Sequence, residues 1–304
     1  MCGISGIMYK RSGEKGLAPI GRDLVNMLQS MVHRGRDSSG ITIAGERNEG
    51  DLIIRIWVDD CADDREILKR STDTITTLGG HIENSSVQGS FLRLDVRFAG
   101  EIRQLAESLL TQRGLELHSI GKSSEVIKDV GTPSSIDSRH SITAIQGTHG
   151  IGHVRMATES RVDISHAHPF WAYPFPDVTV VHNGQLTNYH SMKRSYEDQG
   201  HHFQTQNDSE LIAVYLAEKL SKGASLNHAL EESIVDLDGT FTYLVSTENG
   251  LGYAKDQWSA KPLVTMETED VVAIASEEVA LRRVMSQEID RLEPQESEAM
   301  TWLL

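Results

Sequence analysis

Short β-like runs alternate with helix-spaced apolar residues along almost the whole chain, which limits it to a layered architecture of sheets and helices. Strand-like runs fall at 4–9, 41–44 and 52–58. Between the first two, Leu24, Met27, Leu28 and Met31 recur at helical spacing within 23–32. The segment 64–78 predicts a helix ended by Gly79-Gly80. Phe91, Leu92, Leu94, Val96 and Phe98 then predict a strand, with Arg93, Asp95 and Arg97 on its other face. Ile102, Leu105, Ala106, Leu109 and Leu110 predict a second amphipathic helix. The polar stretch 121–139 reads as a loop. Further strands are expected at 141–145, 177–181, 240–246 and 271–275, helices at 211–220 and 226–237, and a short helix from Glu277. The whole reads as one domain over 1–304, with a β-α-β insertion from about 59 to about 140.

A chain of 304 residues, 38% of them hydrophobic, is long enough to bury a substantial core. Its 29 Lys and Arg against 44 Asp and Glu give a net charge of −15. That balance argues against a general nucleic-acid binder and for a small-molecule or protein partner. No apolar run approaches a membrane span, and no secretory signal is evident, so a cytoplasmic location is expected. The two cysteines, Cys2 and Cys61, have no CxxC spacing, which speaks against a disulfide framework or structural zinc. Four acids surround Cys61 and disfavour its thiolate, so it reads as structural or incidental. His166-Ala167-His168-Pro169 fits a loop near an active site better than a ligand set, and no metal is expected.

Chemistry concentrates in five clusters. Removal of Met1 leaves Cys2 with a free α-amine, whose ordinary pKa of about 8 lies close to that of a thiol. Such an amine can activate its own sulfur and later protonate a leaving ammonia. Gly3 lets the backbone pass close to a substrate. The loop His33-Arg34-Gly35-Arg36-Asp37-Ser38 can set an Arg against backbone carbonyls near the N-terminus. Arg155 offers a planar fork for a carboxylate. The Asn183 amide beside the Gly184 N–H can supply two donors to one oxyanion. Asp208 can accept from an α-ammonium. Each also has an ordinary reading: a buried cysteine, a polar turn, a surface ion pair, an Asn-Gly hairpin and a helix N-cap.

In order, Met1-Cys2-Gly3-Ile4, Arg34-Gly35-x-Asp37-Ser38, Arg155-Met156-Ala157-Thr158, His182-Asn183-Gly184 and Asn207-Asp208-Ser209-Glu210 resemble the class II glutamine amidotransferases, a family of N-terminal-nucleophile hydrolases. Leu237-Asp238-Gly239, Asp256 with Lys261-Pro262-Leu263, and Ala275-Ser276-Glu277 extend the likeness over most of the chain outside the insertion. The resemblance implies an α+β fold, a four-layer αββα sandwich. It implies Cys2 as nucleophile and, through its α-amine, general base. Asn183 and Gly184 would form the oxyanion hole. Arg155 would hold the glutamine α-carboxylate and Asp208 the α-ammonium, with Thr158 and His182 also at the substrate, while Arg34 and Gly35 shape the loop around Cys2. Glu159-Ser160 stands where many relatives have His-Gly, and Arg36 where Pro, Tyr or Gln is common.

The amidotransferase pattern continues to about residue 285, so the synthase chemistry is expected on another chain. The length and insertion resemble the stand-alone amidotransferase subunit of N-methylglutamate synthase and glutamate synthase-like enzymes. That likeness implies L-glutamine as substrate and a separate FMN-binding, glutamate synthase-like subunit, with further synthase subunits, as partners. It places flavin and an iron–sulfur cluster in those partners and no cofactor here. The competing expectation is a non-catalytic regulatory or scaffolding subunit, which retention of Met1 would favour.

Overall fold

Gly3–Tyr9 forms strand β1, and the two faces of this strand lie in different cores. Ile4 and Met8 point one way and Ile7 the other, as the period of a strand requires. The computed structural model describes residues 2–10, 16–45, 51–59, 63–157, 161–285 and 292–304. Cys61 and Thr158 lie outside these described residues.

β1 sits inside a six-stranded antiparallel sheet. Its neighbours are β8 (His149–Arg155) and β14 (Val271–Ala275), flanked by β2 (Ser38–Ala44), β7 (Ser124–Val130) and β13 (Val264–Glu267). A five-stranded sheet faces it: β15 (Ala299–Leu303), β12 (Gly250–Lys255), β11 (Gly239–Thr247), β10 (Thr179–Leu186) and β9 (Phe170–Trp171), in that order. Ile4, Met8, Ile151, Val181, Leu244 and Ile274 fill the space between the two sheets. Helix α1 (Ile20–Ser30) covers the outer face of the first sheet through Leu24, Met27 and Leu28. α1 has no side-chain N-cap bond. Each of those buried side chains contributes about 2 kcal/mol, which outweighs the roughly 1 kcal/mol a cap would add. Packing, and not capping, makes this helix.

On the far side, α6 (Asp208–Ser221) and α7 (Leu226–Asp236) pack on Phe241, Tyr243 and Val245. Ser209–Ala217 is buried on every face of α6, so this helix is part of the core. The layers therefore run helix, sheet, sheet, helix, the αββα arrangement the sequence motifs imply.

The inserted unit differs from the expected β-α-β over about 59–140. It comprises β3 (Asp51–Val58), α2 (Asp64–Thr77), β4 (His81–Gln88), β5 (Phe91–Arg97), α3 (Ile102–Leu110) and β6 (Leu115–Gly121). Its antiparallel sheet runs β4-β5-β3-β6, the βαββαβ order of ferredoxin-like units. β3 belongs to it because Leu52, Ile54, Ile56 and Val58 fill its core. β4 is an exposed polar edge strand without apolar alternation, and β6 meets β3 across a bulge between Arg55 and Ile56, which blurs its period.

The expected loop at 121–139 contains β7 and helix α4 (Pro133–His140) instead. Glu125 and Lys128 are charged, yet both are buried within β7. Thr132 caps α4 by accepting from Ser135 N, with Pro133 in the first turn. The expected strand at 141–145 is a 3-10 turn, Ile142–Ala144, entered through Ser141 at φ 52°.

Candidate active site

Cys2 immediately precedes β1, at the end of the strand that opens between the two sheets. Its Sγ lies 3.4 Å from Met156 N. Its carbonyl oxygen accepts from Arg34 Nε at 2.9 Å and from Asn183 Nδ2 at 3.2 Å. Arg34 closes the 3-10 turn Val32–Arg34 and is 9% exposed. Its Nη1 donates to Glu277 Oε1 at 2.6 Å. Gly35 follows because the Arg155 backbone passes there: a Cβ would stand 2.4 Å from the Arg155 carbonyl carbon. Asp37 N donates to Arg155 O at 3.0 Å, and Asp37 Oδ2 accepts from Ala157 N at 2.7 Å. The polar loop is thus fastened to β8 and does not wave in solvent.

Asn183-Gly184 is not the hairpin its dipeptide suggests. Both residues lie within β10, opposite Thr242 and Phe241 of β11. Gly184 has φ 140°, and a Cβ there would stand 1.9 Å from Thr240 O, so the close approach of β11 requires glycine. Asn183 Nδ2 donates to Cys2 O and, at 3.4 Å, to Ser276 Oγ. Exchanging the ends of this amide would set two acceptors face to face at Cys2 O, which fixes its orientation.

Asp208 is the first residue of α6, and the N-cap is its neighbour Asn207, which accepts from Ser209 N at 2.9 Å. Asp208 Oδ2 accepts from Leu186 N at 3.0 Å, and Oδ1 lies 3.5 Å from His182 Nδ1. Burial pushes this carboxyl up, but His182 and the backbone donors outweigh burial and hold it below the ordinary aspartate range. Arg155 ends β8, is 5% exposed, and donates through Nη1 to Arg161 O at 3.1 Å.

Cys2, Arg34, Arg155, His182, Asn183, Gly184 and Asp208 all line one cavity of about 350 Å³. Gly35 stands behind Arg155 instead of on the wall. Larger cavities lie elsewhere, of about 450 Å³ beside Trp57 and Phe203 and about 550 Å³ beside Tyr196 and Lys219. Neither holds a cysteine, so chemistry and not size marks the site. Among the described residues no group of three or more His, Cys, Asp or Glu is placed to hold a metal. No helix among them is long and apolar enough to cross a membrane.

Sequence reasoning placed His168 in a loop near the active site, and it lines the cavity; it gave no site role to Ser209, Thr240 or Lys261, which also line it, nor to Ser276 and Glu277, which hold its floor. The Lys261-Pro262 and Ser276-Glu277 pairs stood among the resembling motifs and were the available signal.

A cysteine leading the inner strand of an αββα sandwich defines the N-terminal-nucleophile class of fold. Two solved structures share the fold: the allosteric regulatory enzyme of purine biosynthesis (TM-score 0.63) and the glutamine phosphoribosylpyrophosphate amidotransferase from B. subtilis with ADP and GMP (TM-score 0.61). Each is 20% identical and matches 99% of this chain, which spans about half of theirs, 46% and 47%. Residues 153–283 match the glutamine amidotransferase domain family. A protein provisionally named a glutamine amidotransferase, from Methanothermobacter thermautotrophicus, is 40% identical over 97% of this chain and 98% of its own. The glutamine amidotransferase-like protein GlxB of Rhizobium meliloti is 35% identical over 99% and 98%. An amidophosphoribosyltransferase of Methanocaldococcus jannaschii is 30% identical over 59% of this chain and 38% of its own. The chain belongs to the class II glutamine amidotransferases, and it is an enzyme of that family.

Proposed function

We propose that this chain is the glutaminase subunit of a synthase whose ammonia-consuming chemistry resides on a separate chain. The observation that carries the reading is the convergence of Cys2, Arg155 and Asp208 on one cavity from three distant parts of the sequence. Arg155 holds the glutamine α-carboxylate as a planar cation, and Asp208 holds the α-ammonium as a partly buried anion at a helix start. His182 completes the contacts around the substrate. With both ends of the amino acid fixed, the side-chain amide is presented to the Cys2 thiol.

Once Met1 is removed, the Cys2 α-amine takes the thiol proton as sulfur attacks the amide carbon. The new C–S bond gives a tetrahedral oxyanion, which Asn183 Nδ2 and the Gly184 N–H stabilise. Asn183 releases its contact with Ser276 Oγ or Cys2 O to do so. The C–N bond then breaks, and the α-ammonium returns its proton to the departing ammonia. Water, deprotonated by the same amine, hydrolyses the γ-glutamyl thioester to glutamate and frees the thiol. Arg34 and Gly35 keep the Cys2 backbone in place throughout.

The partner in this reading is an FMN-binding, glutamate synthase-like chain with further synthase subunits, and flavin and an iron–sulfur cluster belong to them. The product is glutamate or N-methylglutamate. Glutamate release from glutamine tests the reading, measured for the chain alone and with its synthase partner. Slow turnover alone, strong stimulation by the partner and none from Cys2→Ala are expected. Full activity without a partner contradicts the subunit assignment.

A further inference from the structure

Three buried histidines stand against the glutamine cavity. His153 on β8 stacks on His168, with ring centroids 4.1 Å apart and planes 13° from parallel. His168 Nε2 lies 2.9 Å from Ser209 Oγ, and His182 Nδ1 lies 3.0 Å from the same oxygen. Ser209 is 1% exposed and follows Asp208 on α6. Asp208 Oδ1 is 3.5 Å from both His182 Nδ1 and Ser209 Oγ.

Ser209 Oγ also reaches Asp208 Oδ1, but at 3.5 Å that is the longest of its three contacts, so its single proton goes to one ring and its oxygen accepts from the other. Asp208 decides which. A lone pair on His182 Nδ1 would face the carboxylate; an N–H there is attracted to it. His182 Nδ1–H therefore donates to Ser209 Oγ, and Ser209 passes its own hydrogen to His168 Nε2. Burial holds His168 well below the ordinary imidazole range and His153 down to about 3, so the stacked pair is uncharged near neutrality. The one ring proton of His168 is then left on Nδ1.

We propose that Ser209, backed by His168, is a positioning pair that fixes the Nδ1 proton of His182 and thereby holds Asp208 ready for the α-ammonium of glutamine. The proposal rests on the assignment of Asp208 to that group. Without the hydroxyl, only the longer contact with Asp208, at 3.5 Å, favours the proton on Nδ1, and the Nε2–H form that imidazole favours in water gains population. A lone pair then faces Asp208, and the carboxylate loses a donor on the side opposite Leu186 N. His168 enforces the order because, with its Nε2 bare, it takes the Ser209 hydrogen and leaves the hydroxyl oxygen free to accept.

The full chain labelled with 15N-histidine tests this through two-bond 1H–15N correlation spectra, which read each tautomer directly. Binding of a glutamine-like diazoketone supplies the second readout, as KI separate from the maximal rate of labelling. Both His168 and His182 are expected as Nδ1–H in the native chain. Ser209→Ala is expected to shift His182 toward Nε2–H and raise KI about tenfold, the value of one lost charge-assisted hydrogen bond, with the maximal labelling rate nearly unchanged. Ser209→Thr restores both. Either ring found as Nε2–H in the native chain overturns the proposal whether or not any variant folds. An unchanged KI in Ser209→Ala, or an equal rise in Ser209→Thr, also overturns it. A diazoketone lacking the α-amino group separates the two readings: if it binds the native chain as tightly as the amino acid does, the Asp208 assignment fails, while the spectra still judge the proton order.

Discussion

Glu277 holds Arg34 against the backbone of Cys2. Its carboxylate accepts Arg34 Nη1 at 2.6 Å while Arg34 Nε donates to the Cys2 carbonyl at 2.9 Å. The contact spans almost the whole chain, from the loop after α1 to the end of β14. Burial pushes the Glu277 carboxyl up, but Arg34 and His33 outweigh burial and hold it below the ordinary carboxylate range. A depressed native value contributes stability that is complete above the unfolded pKa and is lost as pH falls through the native one. Glu277→Gln should therefore slow Cys2 labelling near neutrality. Denaturant titrations should show its stability deficit shrinking as the pH falls below the carboxylate range. A deficit that grows on acidification contradicts this account.

Gly184 should tolerate no side chain. Gly184→Ala must place a methyl group into Thr240 O at a backbone angle that L-residues rarely adopt. A cost on the order of 3 kcal/mol is expected from strain and overlap together. Urea unfolding measures it, and a loss within about 0.5 kcal/mol, as for an ordinary surface change, would show that β10 is wrongly placed.

Asp208 should bind as an anion well into acid. Because His182 and the Leu186 and Ser209 backbone groups hold its carboxyl below the ordinary range, glutamine affinity should persist as pH falls through that range. Calorimetric titration of glutamine into Cys2→Ala gives the affinity without turnover. Asp208→Asn should weaken it about thirtyfold at neutral pH, corresponding to about 2 kcal/mol for a charge-assisted contact. A shift of less than about twofold would remove Asp208 from the substrate.

Glu125 should fasten the inserted unit to the sandwich. From β7 it accepts Arg55 Nη2 of β3 at 2.5 Å and Arg93 Nε of β5 at 3.1 Å. Burial pushes the Arg55 guanidinium down, against the attraction of Glu125. Glu125→Ala leaves that cation buried and is expected to cost about 3–5 kcal/mol. Hydrogen exchange should quicken first in Asp51–Val58 and Phe91–Arg97. A loss under about 1 kcal/mol would mean the pair behaves as a surface ion pair.

What the sequence revealed follows from how local each signal is. Leu24, Met27 and Leu28 reported α1 because their period survives packing unchanged. β7 stayed hidden because Glu125 and Lys128 are satisfied from Arg55, Arg93 and Glu116, partners on other elements that no window of sequence contains. Asn183-Gly184 pointed to a turn, since nothing local shows that β11 passes close enough to demand glycine. Cys2, Arg34, Arg155 and Asp208 were legible as motifs, and one cavity unites them. Ser209, His168 and Glu277 act through contacts that exist only once distant strands and helices meet.

The most direct test of the central claim is the intact mass of the purified chain before and after exposure to a glutamine-like diazoketone, followed by peptide mapping. Loss of Met1 and a single adduct on Cys2, suppressed by excess glutamine, is the predicted result. Retention of Met1 with no adduct, or an adduct on another residue, contradicts Cys2 as the nucleophile.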